Sequence, residues 1–219
     1  MKILVFLGSV RQSTPPHPAR LGERVALACK QHLESQFQAI DAELIDPLDF
    51  DLGSIFKPHF AYSNSAVPPH LQMLADKIQQ ADGYVMVSPE YNHSMSPALA
   101  NLLNHFGSSL FSYKPSVIVT YSAGQWGGAR AAVNMRTFLS ELGCLPVSAM
   151  IHIPKVQEVL SEDGCFSSKV SKTEWERYYH RAFSQLQWWA MAAKRYRASE
   201  EGERRPAAFT QSPAQRNAP

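Results

Sequence analysis

Residues 83 to 106 place the tightest constraint on what this chain can fold into. Tyr84 to Val87 is an apolar run without polar alternation, which is how a strand buried on both faces reads. Ser88 and Pro89 end it, because proline has no N–H to give to a ladder. Glu90 to Ser96 is polar. From Pro97 onward, apolar residues recur at Leu99, Leu102, Leu103 and Phe106, the spacing of a helix. Ser96 is placed to cap that helix, with Pro97 at its first position. The segment is a strand, an exposed polar turn and a helix. In an open parallel sheet, ligands sit at such turns.

Two further stretches repeat this grammar. Ile3 to Leu7 is a continuous apolar run, followed by Gly8-Ser9-Val10-Arg11-Gln12-Ser13-Thr14 and a helix predicted over Leu21–Glu34. Hydroxyls and backbone N–H groups at a helix entrance, with an arginine fork beside them, suit a phosphate. The candidates are Ser9, Arg11, Ser13 and Thr14. The loop is neither GxGxxG nor a Walker loop, which argues against a dinucleotide fold or an NTPase. Ser116 to Tyr121 is another strand, and its loop, Ser122 to Gly128, carries three glycines before a helix predicted over Ala129–Leu142. So many glycines mean either close approach to something flat or positive φ.

Glu43–Asp46 adds a short strand, and Leu71–Gln80 a helix with Leu71, Leu74, Ala75 and Ile78 inward. Leu145–Ile153 is predicted as the last strand, and Lys172 to about Arg197 as a long aromatic helix docked on the sheet. Residues 47 to 69 are irregular and aromatic; such a loop covers a ligand, a partner subunit or its own core. Five strands alternating with helices make an α/β doubly wound sheet. A single domain is expected over residues 1–197, with a disordered tail over 198–219.

The quoted loops resemble those of the NAD(P)H-dependent FMN reductase family, a flavodoxin-like family. Pro89, Glu90, Tyr91 and Asn92 match its flavin-edge turn, followed by a similar His93-Ser94-x-x-Pro97-x-Leu99-x-Asn101. Gly8, Ser9, Arg11 and Ser13 match its phosphate loop, and Ser122, Gly124, Gly127 and Gly128 its second flavin-edge loop, which also holds Ala123. The resemblance implies a five-stranded parallel sheet in the order 2-1-3-4-5 with helices on both faces. It also implies FMN as cofactor, NADPH or NADH as co-substrate, and a quinone, flavin or azo compound as the small-molecule acceptor. Homodimers or homotetramers are usual. Pro89 to Asn92 and Ser122, Ala123, Gly124 and Gly127 would hold the isoalloxazine. No catalytic side chain is expected, because the flavin carries the chemistry, and His93 reads as a contact rather than a base. An electron carrier or an FMN-binding sensor without turnover is the alternative reading.

Two features depart from the family pattern. Pro15 to Pro18 separate the phosphate loop from Arg20-Leu21-Gly22, so either Ser13 and Thr14 complete the phosphate site or Arg20 returns to it. The usual Lys and Asp of the third helix are Ala100 and Asn104 here. A net charge of +2 leaves no nucleic-acid footprint, and no apolar run reaches the ~18 residues of a membrane span, so neither partner is expected. Cys29, Cys144 and Cys165 have no CxxC or metal-ligand spacing, and no signal-peptide pattern opens the chain. A cytoplasmic protein without a metal is expected.

Overall fold

The computed structural model describes residues 1–13, 16–199 and 201. Thr14 and all but three residues of the 198–219 tail lie outside them. The chain runs β1 (Lys2–Leu7), α1 (Leu21–Gln36), β2 (Asp41–Ile45), α2 (Pro69–Gln80), β3 (Gly83–Pro89), α3 (Pro97–Asn104) and α4 (Ser108–Phe111). It continues with β4 (Pro115–Tyr121), α5 (Ala129–Glu141), β5 (Leu145–Pro146), β6 (Ile151–Ile153), α6 (Val156–Val159) and α7 (Lys172–Arg197). The strands are parallel in the order β2-β1-β3-β4-β5, with β6 also on β4. This is the flavodoxin-like arrangement expected.

Central strands are apolar throughout because both faces of the sheet are covered. Along β1 the period of two sorts the residues: Ile3, Val5 and Leu7 enter one core with Val25 and Leu33 of α1 and Phe183 and Leu186 of α7. Leu4 and Phe6 enter the other, with Leu74 and Ile78 of α2, Leu102 of α3 and Met135 of α5. The Ser96 hydroxyl accepts from the Leu99 N–H at 3.1 Å, with Pro97 in the first turn, so α3 begins where its cap dictates.

The last strand departs from expectation. Instead of one run over Leu145–Ile153, two short pieces pair with β4, separated by residues 147–150. The Val147 N–H still donates to Ser116 of β4 (2.9 Å), and beyond it other partners replace the ladder. Arg136 of α5 donates to the carbonyls of Val147 (3.0 Å) and Ser148 (2.6 Å), and the Ala149 N–H donates to Gln185 of α7 (3.0 Å). A bent edge of this kind is stable because its backbone groups stay satisfied.

Residues 47–69 form three short 3₁₀ turns. Phe50, Leu52, Tyr62 and Val67 pack on the second core, which settles part of this stretch as cover for the domain itself. Ile55, Phe56 and Phe60 remain exposed. At the far end of the sheet, Asp82 receives Lys194 (2.9 Å) and Arg197 (3.3 Å), anchoring the end of α7 beneath β3.

Candidate functional site

The loops after β1, β3 and β4 open on one edge of the sheet and enclose a cleft of ≈ 500 Å³. Ser9 and Arg11 line it from the first loop, Pro89, Glu90 and Tyr91 from the second, and Ser122 and Ala123 from the third. Ser13, Asn92, Gly124 and Gly127 are not in the lining.

The first loop is pinned from behind. The Gly8 N–H donates to the Val87 carbonyl at 2.8 Å, and a Cβ on Gly8 would sit 2.5 Å from that oxygen, so no side chain fits. Ser9 is buried, whereas the Arg11 guanidinium is exposed, and no described carboxylate pairs with it. Arg20 does return to this loop, as one of the two sequence alternatives has it: it lines the cleft and also braces the loop from behind. Its Nη1 donates to the carbonyls of Ser9 (2.8 Å) and Arg11 (3.4 Å), and its Nη2 pairs with Asp46. Burial lowers the Arg20 pKa, with Glu23, Tyr121 and Asp49 opposing. The Ser13 hydroxyl accepts from the Arg20 N–H (3.1 Å) and so holds the entrance of α1. The proline insert forms a wall of the cleft through His17, Pro18 and Ala19, and Arg24 donates to the Ala19 carbonyl at 3.1 Å.

The second loop is a tight hairpin. Tyr91 and Ser94 exchange backbone hydrogen bonds at 3.0 and 2.9 Å around Asn92 (φ 51°) and His93 (φ 62°). Positive φ at both central positions is the type I′ requirement, and Asn and His are among the side chains that tolerate it. Helix α5 grips both ends of the turn. The Glu90 carboxylate accepts from Arg130 (2.9 Å) and the Ala131 N–H (3.4 Å), and Asn134 donates to the His93 carbonyl (2.6 Å). Glu90 thereby supplies the acceptor that Gly128, the cap residue of α5, lacks. The His93 side chain is exposed and outside the lining.

The third loop is stapled by Ser122, whose hydroxyl donates to the Gly124 carbonyl (2.8 Å) and accepts from the Gly127 N–H (2.9 Å). Its next three carbonyls all turn toward the β6–α6 junction. The Val156 N–H donates to Ser122 (3.2 Å), Gln157 Nε2 to Ala123 (3.0 Å) and the Lys155 N–H to Gly124 (2.9 Å). Gly127 (φ 59°) and Gly128 (φ 77°) have to be glycine for the turn itself. Gly124 is different: a Cβ there would meet nothing within 4 Å, so the protein's own packing does not demand a glycine.

Sequence reasoning missed Tyr121, His17, Arg24 and Gln157, all in the lining. Tyr121 could have been found as the last residue of a central strand, paired with Pro89 at the sheet edge. Burial pushes its phenol pKa up, only partly offset by a hydrogen bond with Ser9, so the hydroxyl stays neutral. The other three reach the cleft through tertiary packing and carry no local signal. Among the described residues no cluster of metal-ligating side chains occurs.

A family model described as NADPH-dependent FMN reductase matches residues 1–158. The quinone reductase of Escherichia coli K12 is 40% identical over 75 residues, 33% of this chain and 40% of that protein. A probable NADPH:quinone oxidoreductase of Oryza sativa is 29% identical over 138 residues, 62% of this chain and 65% of its own. The chain thus spans about two fifths of the bacterial relative's length and just under two thirds of the plant one's. Among solved structures, the flavoenzyme NAD(P)H:(acceptor) oxidoreductase FerB of Paracoccus denitrificans superposes with a TM-score of 0.65 at 19% identity, over 87% of this chain and 97% of its own. That likeness supports the fold. With a family match over residues 1–158 of 219, the chain belongs to the NADPH-dependent FMN reductase family.

Proposed function

We propose that the protein is an FMN-dependent oxidoreductase taking a hydride from NADPH or NADH and delivering it to a quinone, a free flavin or an azo compound. The observation that carries this reading is the convergence of three loops on one cleft with an uncompensated guanidinium, Arg11, in its lining. The residues present fit FMN. A cleft of ≈ 500 Å³ lies within the ~300–1,000 Å³ common for such ligands. Gly124, next to the lining residue Ala123, has open space where a side chain would stand, which leaves room for a flat ring beside this loop. FMN would supply the hydride acceptor and donor.

The protein's part is binding, orientation and shelter. Ser9 and Arg11, with Ser13 and Thr14 next in the sequence, hold the phosphate, and Arg20 holds the Ser9 and Arg11 carbonyls. Pro89 to Asn92 and Ser122, Ala123, Gly124 and Gly127 form the two edges that orient the ring. The carbonyls of Ser122, Ala123 and Gly124 are committed elsewhere, as are the Ser122 and Gly127 N–H groups, so the N–H groups of Ala123 and Gly124 are left to meet acceptor atoms. Tyr121 adds a neutral wall that carries no charge into the site. No side chain is assigned as acid or base.

The chain is read as cytoplasmic, with Cys29, Cys144 and Cys165 free thiols. A homodimer or homotetramer is proposed, with the exposed Leu48, Ile55, Phe56 and Phe60 of the 47–69 stretch as candidate contacts. The test is direct. Titration with FMN is expected to give a bound-flavin spectrum, and steady-state NADPH oxidation with a quinone is expected to require FMN. A protein that takes up no flavin, or whose loaded form oxidises neither NADPH nor NADH, would refute the reading.

A further inference from the structure

The long helix α7 lies beyond the family match, which ends at residue 158, and has a surface its fold does not explain. Between Leu186 and Ala193 the only polar residue is Gln187. Leu186 and Ala190 are buried on the sheet, whereas Trp188 is 62% exposed, Trp189 48% and Tyr196, about two turns further on, 59%. A helical stretch that is apolar all round ordinarily has cover on every side. On the solvent face Arg181, Trp188 and Arg195 recur at intervals of seven, with Met191 and Ala192 between them, so the aromatic centre is bracketed by cations. After Glu176 the helix carries no carboxylate at all.

This charge pattern selects the partner. A two-fold axis through Trp188 would bring each Arg181 beside Arg195 of the partner subunit, cation against cation with no acid between, so self-pairing is disfavoured. Indole and phenol rings flanked by arginine instead match the boundary between lipid headgroups and acyl chains. Asp82, which anchors the end of α7, lies at the sheet edge opposite the cleft, so contact through this end leaves the cleft mouth clear.

We propose that the exposed face of α7 docks the protein reversibly on an anionic lipid surface, with Trp188, Trp189, Met191 and Tyr196 in the interface and Arg181 and Arg195 against the headgroups. This is a surface contact and not a span, in keeping with the absence of any described helix long and apolar enough to cross a membrane. It departs from the sequence expectation of no membrane partner and does not rest on the reaction proposed above.

The full chain, mixed with vesicles of phosphatidylcholine alone or of phosphatidylcholine with phosphatidylglycerol, tests the proposal by co-sedimentation and tryptophan emission. Pelleting and a blue shift are expected with the anionic vesicles at low salt, and both should weaken as salt rises. Replacing Arg181 and Arg195 together by Gln should lower partitioning about thirtyfold, at roughly a factor of five for each lost cation. Trp188→Ser with Trp189→Ser should abolish the shift while circular dichroism and melting remain those of a folded chain. Protein that stays in the supernatant with anionic vesicles at low salt overturns the proposal, as does unchanged partitioning of folded variants. A dimer that the tryptophan variants dissociate would give the face to a second copy. Pelleting that appears only after residues 202–219 are removed would give it to this chain's own C-terminal segment.

Discussion

Arg11 and Arg20 show how one residue type divides into two tasks nine positions apart. Both line the cleft, but Arg11 is exposed, while Arg20 is buried with Asp46 and two loop carbonyls. Arg11→Ala is expected to weaken FMN by ~1.5–3 kcal/mol, the scale of a hydrogen bond to a charged group, and to leave the flavin-free protein as stable as before. Arg20→Ala is expected to destabilise the flavin-free protein by ~3 kcal/mol, because it strands Asp46 in a partly buried site. Fluorimetric FMN titration and urea unfolding separate the two. Equal loss of stability in both variants would put Arg11 into the scaffold. The sequence made Ser9, Arg11, Pro89, Tyr91, Ser122 and Ala123 legible because each sits at the end of a strand or in the loop directly after it. It left the task of Arg20 open, since only the folded chain brings Asp46 across from the end of β2.

Among the elements, the approach of the start of α1 to the end of β4 turns on one atom. A Cβ on Gly22 would collide with the Tyr121 hydroxyl oxygen and would stand 3.0 Å from both Leu7 Cδ1 and Ser9 Cβ. Alanine gains up to ~1 kcal/mol of helix propensity, yet Gly22→Ala is expected to destabilise by ~1–3 kcal/mol because overpacking outweighs it. Adding Tyr121→Phe removes the colliding oxygen and should recover much of the loss, a coupling that a double-mutant cycle under urea reads out. Additive effects would show that the strain lies with Leu7 and Ser9 instead. Apolar runs made β1, β3 and β4 readable, and the Ser96 cap set the start of α3. The split of the last strand into β5 and β6 was not readable. It depends on Arg136 and Gln185, which arrive from other helices to satisfy the interrupted backbone.

At the scale of the whole molecule, α1 and α7 meet around a buried imidazole. His32 contacts Phe37, Tyr179, His180 and Phe183, and its pKa is pulled down to about 4, chiefly by burial and next by His180, with Glu176 opposing. The unfolded chain therefore takes up this proton more readily than the folded one. Stability should fall as pH drops from about 6.5 towards 4, by on the order of 3 kcal/mol from this group, and level off below. Urea midpoints across that window should slope in the native chain and flatten in His32→Leu; an unchanged slope would assign the titration elsewhere. The two ring-edge loops have a further collective property. Helix α5 holds the Glu90 side chain and the His93 carbonyl, and the Ser122–Gly128 loop runs directly into the same helix. Neither loop can then open without disturbing the start of α5. Amide hydrogens in residues 90–94 and 122–128 should exchange in step, as one cooperative opening unit. Arg130→Ala should speed exchange in both segments by a common factor, so the site would loosen as a single body and not as two independent flaps.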